Sequence, residues 1–250
     1  MFKKTFLVSL VLLAICFGLS PVHAADLSLD EVINNIQSNQ TKIHDLYTET
    51  TTVITSNMAM PGAQNKGPQK TEQKSKMWTK GETKSKVEIT SPVKTIMITN
   101  GDNMVTISAD TGQKVYQDLK KMRESEKNAF SQSGGQFSLA KAKEFFDFSL
   151  ANRDGFYVVT GVPRKANQFL GKMEFYISAD KWLPEKIMMF DGKNKLLSQS
   201  DIRYQELGGA WVPLTSKSVV MSPMGKMEMS MSYDNVKVNK GISDDEFKIN

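Results

Sequence analysis

Short strand-like runs separated by turn signals fill the chain from Lys70 onward, and this succession constrains the fold more than any other feature. Each of the seven turns carries a glycine, which can supply the positive φ that tight hairpins need. Regular spacing of strands and turns predicts an antiparallel sheet that curls or closes. The turns are expected at Lys80-Gly81, Asn100-Gly101, Asp110-Thr111-Gly112, Asp154-Gly155, Asp191-Gly192, Gly208-Gly209 and Met224-Gly225.

Apolar and polar residues alternate in several of the predicted strands. Met173, Phe175 and Ile177 are expected to point to one side, opposite Lys172 and Glu174. A second row of the same kind consists of Met227, Met229 and Met231. Such a period of two is typical of a sheet with one apolar face and one solvated face.

A capped amphipathic helix is predicted ahead of the sheet. Ser28 and Glu31 have the spacing of a capping box, and apolar residues follow at helical intervals, which predicts a helix from about Leu29 to Leu46. The Thr- and Val-rich segment from Tyr47 to Met58 is expected to be a strand. The Pro- and Gly-containing stretch from Met60 to Gln69 is expected to be a loop.

Two further helices are predicted in the middle of the chain, at Lys120 to Phe130 and at Leu139 to Phe148. The glycine-containing segment Ser131 to Gln136 separates them. Helices placed midway through a sheet protein must cover one of its faces. The apolar residues expected to do so include Met122, Phe130, Phe145 and Phe146.

The first two dozen residues have the pattern of a secretory signal peptide. Lys3 and Lys4 precede an uncharged apolar run of about 15 residues, which is shorter than the roughly 20 needed to span a bilayer. A small-x-small pattern ending at Ala24 predicts cleavage before Ala25. The alternative is a lipoprotein signal with lipid on Cys16, although Ile15 stands where that motif requires a small residue.

Removal of this leader would exclude several kinds of chemistry. The leader contains Cys16, the only cysteine, so the mature chain would have no disulfide, thiolate metal site or cysteine nucleophile. His44 would be the only histidine left, and no G-x-S-x-G motif or Gly-rich phosphate loop is present. The net charge of +5 would fall to +3 without a concentrated basic patch, which argues against nucleic-acid binding. We therefore expect neither an enzyme nor a cofactor protein.

Methionine is unusually frequent, with 15 residues in the chain. Methionine is a flexible, polarizable side chain that suits surfaces contacting varied apolar partners. A Cu(I) site is the alternative interpretation, because thioethers select soft metals. Its candidate ligands are Met221, Met224, Met227, Met229 and Met231.

The order of these segments resembles one family. A leader and a capped helix are followed by the strand–turn–strand segment Val93 to Ser108, then by Trp182 to Ile187, and finally by Tyr233 to Ile242 with Phe247. Together they resemble the periplasmic LolA-like superfamily of outer-membrane lipoprotein-sorting proteins. The resemblance covers nearly all of residues 27–250.

The resemblance implies a mainly β (α+β) fold, with an N-terminal helix, an unclosed antiparallel half-barrel of about eleven strands and a helical lid. It implies one domain over residues 25–250, monomeric and periplasmic, that carries lipoprotein acyl chains or another hydrophobic ligand toward the outer membrane. An inner-membrane releasing transporter and an outer-membrane acceptor would be its partners. A lipid-sensing envelope-stress regulator of the same fold is the alternative function.

Strand parity suggests which residues would contact such a ligand. Trp78 is expected at the mouth of the cavity, and Lys80 stands where dedicated carriers have an arginine that latches the lid. Lysine lacks the planar fork of arginine. The expected cavity wall consists of Met173, Phe175, Ile177, Met227, Met229 and Met231, and the expected lid residues are Met122, Phe130, Phe145 and Phe146.

Overall fold

One antiparallel sheet of thirteen strands forms the protein in a computed structural model, which describes residues 27–57, 67–121, 142–165 and 170–249. The predicted signal peptide, Met122 and Phe130 lie outside the described residues. In these residues no helix is long and apolar enough to cross a membrane.

The sheet is open, with β6 at one edge and β7 at the other. Consecutive strands pair as hairpins within each half, and the two halves meet where β1 pairs with β13. The fold is therefore the expected unclosed half-barrel, with thirteen strands rather than about eleven. The strands are β1 (Asp45–Ser56), β2 (Gln69–Lys80), β3 (Lys84–Ser91), β4 (Thr95–Asn100), β5 (Asn103–Ser108), β6 (Lys114–Asp118), β7 (Phe146–Arg153), β8 (Phe156–Pro163), β9 (Lys172–Ser178), β10 (Pro184–Phe190), β11 (Leu196–Leu207), β12 (Ala210–Ser222) and β13 (Gly225–Val238).

All seven predicted turns connect consecutive strands of this sheet. At the β7–β8 turn, Asp154 and Gly155 both have positive φ, 53° and 80°, as the tightest hairpin turns require. At the β10–β11 turn the positive φ belongs to Asn194 rather than to the predicted Gly192. Asparagine tolerates this conformation better than most other non-glycine residues.

The helix α1 (Leu29–Gln40) begins where the sequence predicts and ends earlier. Its residues Val32, Ile33 and Ile36 are buried against the sheet. The predicted end at Leu46 is wrong, because Asp45 and Leu46 already pair with β2. Backbone hydrogen bonds to a neighbouring strand outweigh the weak helical preference of this segment.

The capping box at the start of α1 is formed. The Ser28 hydroxyl accepts a hydrogen bond from the Glu31 backbone N–H at 3.3 Å, and the Ser28 backbone N–H donates to the Glu31 carboxylate at 2.7 Å. The hydrogen bonds that the Ser28 backbone N–H and hydroxyl donate to the Glu31 carboxylate lower the pKa of that group. The box satisfies N–H groups that an uncapped helix leaves without partners.

Replacing Ser28 with alanine is expected to lower the free energy of unfolding by about 1 kcal/mol, the usual cost of losing an N-cap. Urea unfolding followed by circular dichroism measures this change. The control is Ser38→Ala, because Ser38 is exposed inside the same helix, where alanine is at least as favourable. Equal destabilisation by both variants would contradict the role of the cap.

A short C-terminal 3-10 helix (Asp244–Phe247) packs against β3 and β4. Its Phe247 is fully buried beside Ile98 and Val105. The lysines of β2 and β3 hold the same segment by ion pairs, with Lys84 at 3.1 Å from Asp244 and Lys86 at 2.8 Å from Glu246. The C-terminal segment is thus fastened to the sheet by both apolar and ionic contacts.

Candidate functional site

Three of the predicted wall residues lie in a closed core beneath α1. Met173, Phe175 and Ile177 are at most 3 % exposed. They pack in one cluster with Val32 and Ile33 of α1. We call the side of the sheet that α1 packs on the α1 face.

Strand register places the second predicted row on the same face. Residues paired across neighbouring antiparallel strands point to the same side of the sheet. Pairing can be followed from β9 to β13 through five successive strands. The path runs from Met173 to Met189, Ser198, Val220 and Met227, and in parallel from Phe175 to Ile187, Ser200, Ser218 and Met229.

The three methionines of β13 differ from the buried row in their exposure. Met227, Met229 and Met231 are partly exposed, and none belongs to the core clusters formed by the described residues. Ile54 of β1 pairs with Met229 and continues the apolar surface. The predicted wall therefore consists of a closed part beneath α1 and a partly open part over β13 and β1.

Hydroxyl side chains on this face were missed by the sequence analysis. Ser200 and Ser218 hydrogen-bond to each other at 2.8 Å beside Met229, and Thr50 and Ser75 do so at 2.6 Å. Strand parity could have located them, but serines and threonines give no apolar alternation to follow. Because these hydroxyls satisfy one another, an apolar ligand could cover them at little cost in unmade hydrogen bonds.

Two half-buried tyrosines, Tyr204 and Tyr233, extend the same face toward the end of β13. Burial raises the pKa of both Tyr204 and Tyr233. The Tyr204 hydroxyl donates to the Pro184 carbonyl oxygen at 2.9 Å. Their phenols therefore stay neutral at physiological pH, as a largely apolar surface requires.

Trp78 is not brought together with the other predicted residues. It neighbours Met77 on β2, and successive strand residues point to opposite faces. Met77 pairs with Thr48 on the α1 face, so Trp78 lies on the opposite face. There it packs with the cluster around Phe247.

Of the predicted lid residues, Phe145 and Phe146 are described. Phe145 is 53 % exposed, whereas Phe146 is the first residue of β7 and is buried in the cluster beneath α1. The predicted helix from Leu139 to Phe148 therefore ends too late. The pairing of Phe146 and Phe148 with β8 explains the difference, because it extends the strand into this segment.

Lys80 contacts the C-terminal segment. Its ammonium group donates to the Ile242 carbonyl oxygen at 2.9 Å and to the Asp244 carboxylate at 2.8 Å. These contacts on Lys80 and Lys84 lower the pKa of Asp244. The described contacts of Lys80 therefore hold the C-terminal segment against the sheet.

The five methionines considered for copper do not converge. Met227, Met229 and Met231 share the α1 face, whereas Met221 pairs with Lys226 on the opposite face and Met224 lies in the turn. Alternate residues of one strand are about 6.8 Å apart. In the described ranges no group of three His, Cys, Asp or Glu side chains could hold a metal ion.

His44, the one histidine outside the predicted leader, is exposed between α1 and β1. Its backbone N–H donates to the Asn239 side-chain oxygen at 2.7 Å. Asn239 also accepts from the Asp45 backbone N–H and donates to the Lys42 carbonyl oxygen, so it joins the end of β13 to the segment that leads into β1. The contacts described at His44 are thus structural.

Tyr47 lies beside Trp78 on the opposite face, with ring centroids 5.1 Å apart. Partial burial and a 2.6 Å hydrogen bond to Glu49 raise the pKa of Tyr47 to about 12. A phenol with a raised pKa keeps its proton longer in the folded state than in the unfolded state. Its contribution to the free energy of unfolding is therefore complete below about pH 10 and is lost between about pH 10 and 12.

A rapid-mixing absorbance titration of tyrosinate tests this pKa. The difference between the wild-type protein and Tyr47→Phe is expected to titrate near pH 12. A difference that titrates near pH 10 would contradict the hydrogen bond to Glu49. The control is Tyr116→Phe, which removes a tyrosine that is 58 % exposed and should leave the Tyr47 signal in place.

This chain matches a family model and is similar to several solved structures. A family model described as "Uncharacterized protein" matches residues 115–250, more than half of the chain. The chain belongs to that family. A comparison with curated proteins finds no match.

Solved structures show which fold this family member has. A LolA superfamily protein from Nitrosomonas europaea aligns with a TM-score of 0.57 at 13% identity, over 89% of this chain and 98% of that one. An outer membrane lipoprotein-sorting domain from Vibrio parahaemolyticus gives 0.59 at 13% identity, over 88% and 97%. A DUF1329 family protein from Desulfovibrio piger gives 0.58 at 15% identity, over 88% and 96%. The fold is LolA-like.

Proposed function

We propose that this protein is a periplasmic carrier that binds the acyl chains of lipoproteins, or another hydrophobic ligand, on the α1 face for transfer toward the outer membrane. The observation that carries the proposal is the partly exposed apolar row Met227, Met229 and Met231, which continues a fully buried core without belonging to it. The LolA-like fold and the leader pattern support it.

The dimensions of the row suit an extended chain. The row from Met227 to Met231 spans four residues of β13, roughly 14 Å at about 3.4 Å per residue. Each methylene group removed from water contributes about 0.8 kcal/mol. Methionine side chains adapt their rotamers to ligands of different shape, which favours a carrier of varied cargo.

A carrier must release its ligand, so we expect its binding surface to include side chains that are not locked in the rigid core. The Met173, Phe175 and Ile177 row is held by α1, whereas the β13 row packs in no described core cluster. We propose that the ligand contacts the β13 row and that the row beneath α1 supports it. Residues 25–250 would act as one monomeric domain, loaded by an inner-membrane transporter and unloaded by an outer-membrane acceptor.

The test begins with protein purified from the periplasm. Native mass spectrometry is expected to detect a co-purifying lipid, and the delipidated protein is expected to bind a fluorescent fatty acid saturably. A protein that carries no lipid and shows no saturable binding would overturn the proposal. Mass spectrometry of the same sample also locates the mature N-terminus, expected at Ala25.

A further inference from the structure

A cavity of about 340 Å³ lies on the face of the sheet opposite the α1 face, between β1, β2 and the C-terminal segment. We call it the C-terminal pocket. It is lined by Asp45, Tyr47, Trp78, Lys237, Lys240, Gly241, Ile242, Ser243 and Glu246.

The walls of the C-terminal pocket are held in place by contacts that leave its interior open. The Asp45 carboxylate accepts hydrogen bonds from the backbone N–H groups of Lys240 and Gly241, at 2.9 and 3.1 Å. Lys80 holds the Ile242 carbonyl oxygen from the other side. A pocket fixed in this way loses little conformational entropy when a ligand enters.

One wall of the C-terminal pocket is aromatic. The rings of Tyr47 and Trp78 meet at 57° with their centroids 5.1 Å apart. Lys237 stands over Tyr47 at 5.3 Å, and Lys86 stands over Trp78 at 4.8 Å. Cations over ring faces hold both rings in position. A planar or apolar group could contact their remaining surface.

Two acidic residues, Asp45 and Glu246, and two lysines, Lys237 and Lys240, line the C-terminal pocket. The Asp45 carboxylate is occupied by the two backbone N–H groups, and Glu246 is paired with Lys86 at 2.8 Å. Within the described part of the chain, neither Lys237 nor Lys240 has a carboxylate at ion-pair distance. Lys237 and Lys240 therefore stand beside the aromatic wall without a carboxylate at ion-pair distance among the described residues, and Lys237 also covers part of the Tyr47 ring.

We propose that the C-terminal pocket binds an organic anion in which a phosphate or carboxylate group is attached to a planar or apolar part. Lys237 and Lys240 would hold the anionic group, and Tyr47 and Trp78 would contact the planar part. The same chemistry is offered by a soluble metabolite and by an anionic lipid headgroup. The site is separate from the acyl-binding face because the two lie on opposite sides of the sheet.

Isothermal titration with phenyl phosphate tests the C-terminal pocket. The double variant Lys237→Ala with Lys240→Ala is expected to weaken binding about tenfold or more, because charge-assisted hydrogen bonds are lost. Benzyl alcohol, which keeps the ring without the charge, is expected to bind at least tenfold more weakly than phenyl phosphate. The matched control is Lys195→Ala with Lys217→Ala, which removes the same charge from exposed lysines outside the pocket.

The indole N–H signals of the three tryptophans locate the site in a nitrogen–proton correlation spectrum. Only the Trp78 signal is expected to shift on titration, while Trp182 and Trp211 stay in place. The proposal is overturned if phenyl phosphate does not saturate, if both lysine pairs weaken binding equally, or if the Trp78 signal does not respond. If the lysine-to-alanine pair unfolds, the Lys237→Gln and Lys240→Gln pair replaces it.

Vesicles of phosphatidylglycerol distinguish the two sources of the anion. If the wild type and the control double variant bind these vesicles and the Lys237/Lys240 double variant does not, the anion is a lipid headgroup. Binding of phenyl phosphate without binding of vesicles would assign a soluble anion. Absence of both would overturn the proposal, while leaving fatty-acid binding on the α1 face intact.

Discussion

Replacing Met229 with aspartate is expected to abolish saturable binding of a fluorescent fatty acid while the protein stays folded. Met229 lies at the centre of the partly exposed row, between Ile54 of β1 and Ser218 of β12. A carboxylate there would lie against the acyl chain, and burying a charge without a partner costs several kcal/mol. At about 1.4 kcal/mol per tenfold, the affinity should fall by more than a hundredfold.

The control for this experiment is Ser230→Asp. Ser230 is the next residue of the same strand, is exposed and points to the opposite face. It introduces the same charge without contact to the ligand, so fatty-acid affinity should stay within about threefold of the wild type. Circular dichroism and urea unfolding establish that both variants are folded. If Met229→Asp only unfolds the protein, the row is closed core and the carrier proposal loses its binding surface.

Replacing Phe175 with alanine is expected to lower the free energy of unfolding by about 3–5 kcal/mol. Phe175 is 3 % exposed and packs beneath α1 with Ile177 and Val159. Its removal leaves a cavity that neighbouring side chains fill only in part. Because the ligand is proposed to contact the β13 row, the folded fraction of this variant should keep its fatty-acid affinity within about threefold.

Urea unfolding and fatty-acid titration at a urea concentration well below the transition measure the two effects separately. Val162→Ala is the control, since Val162 is 46 % exposed on the neighbouring β8 and should change stability by less than about 1 kcal/mol. A Phe175→Ala protein of normal stability that no longer binds fatty acid would place the ligand beneath α1. The partition of the α1 face into a supporting core and a binding row would then be wrong.

The two experiments separate roles that strand parity alone treats as equal. Met173 and Met227 have the same alternation in the sequence and lie on the same face. Only the first lies beneath α1. Alternation identifies which side chains share a face of the sheet. Whether a side chain on that face is covered depends on where an element that is distant in the sequence packs.

The charged contacts around the C-terminal segment show a similar limit. Strand spacing places Lys80, Lys84 and Lys86 on one face of the sheet. Their local sequence does not indicate which residues they pair with. Asp244 and Glu246 lie about 160 residues further along the chain. The contacts of Lys80 with this segment therefore could not be derived from the residues around Lys80.

By itself the sequence determined the features that depend on neighbouring residues. The capping box at Ser28 and Glu31, the seven turns and the alternation of β9 and β13 follow from local backbone geometry and side-chain period. The antiparallel, mainly β fold follows from them.

Tertiary structure decided the features that depend on long-range pairing. The predicted helix ends at Leu46 and Phe148 are wrong because Asp45 and Phe146 already pair with neighbouring strands, and this pairing outweighs a weak local preference for helix. The pairing of β1 with β13 sets which side Trp78 and Met229 face relative to each other. The packing of α1 over β7–β10 then decides which apolar rows are core and which remain open to a ligand. Such contacts join residues far apart in the chain, so their geometry is absent from any local pattern.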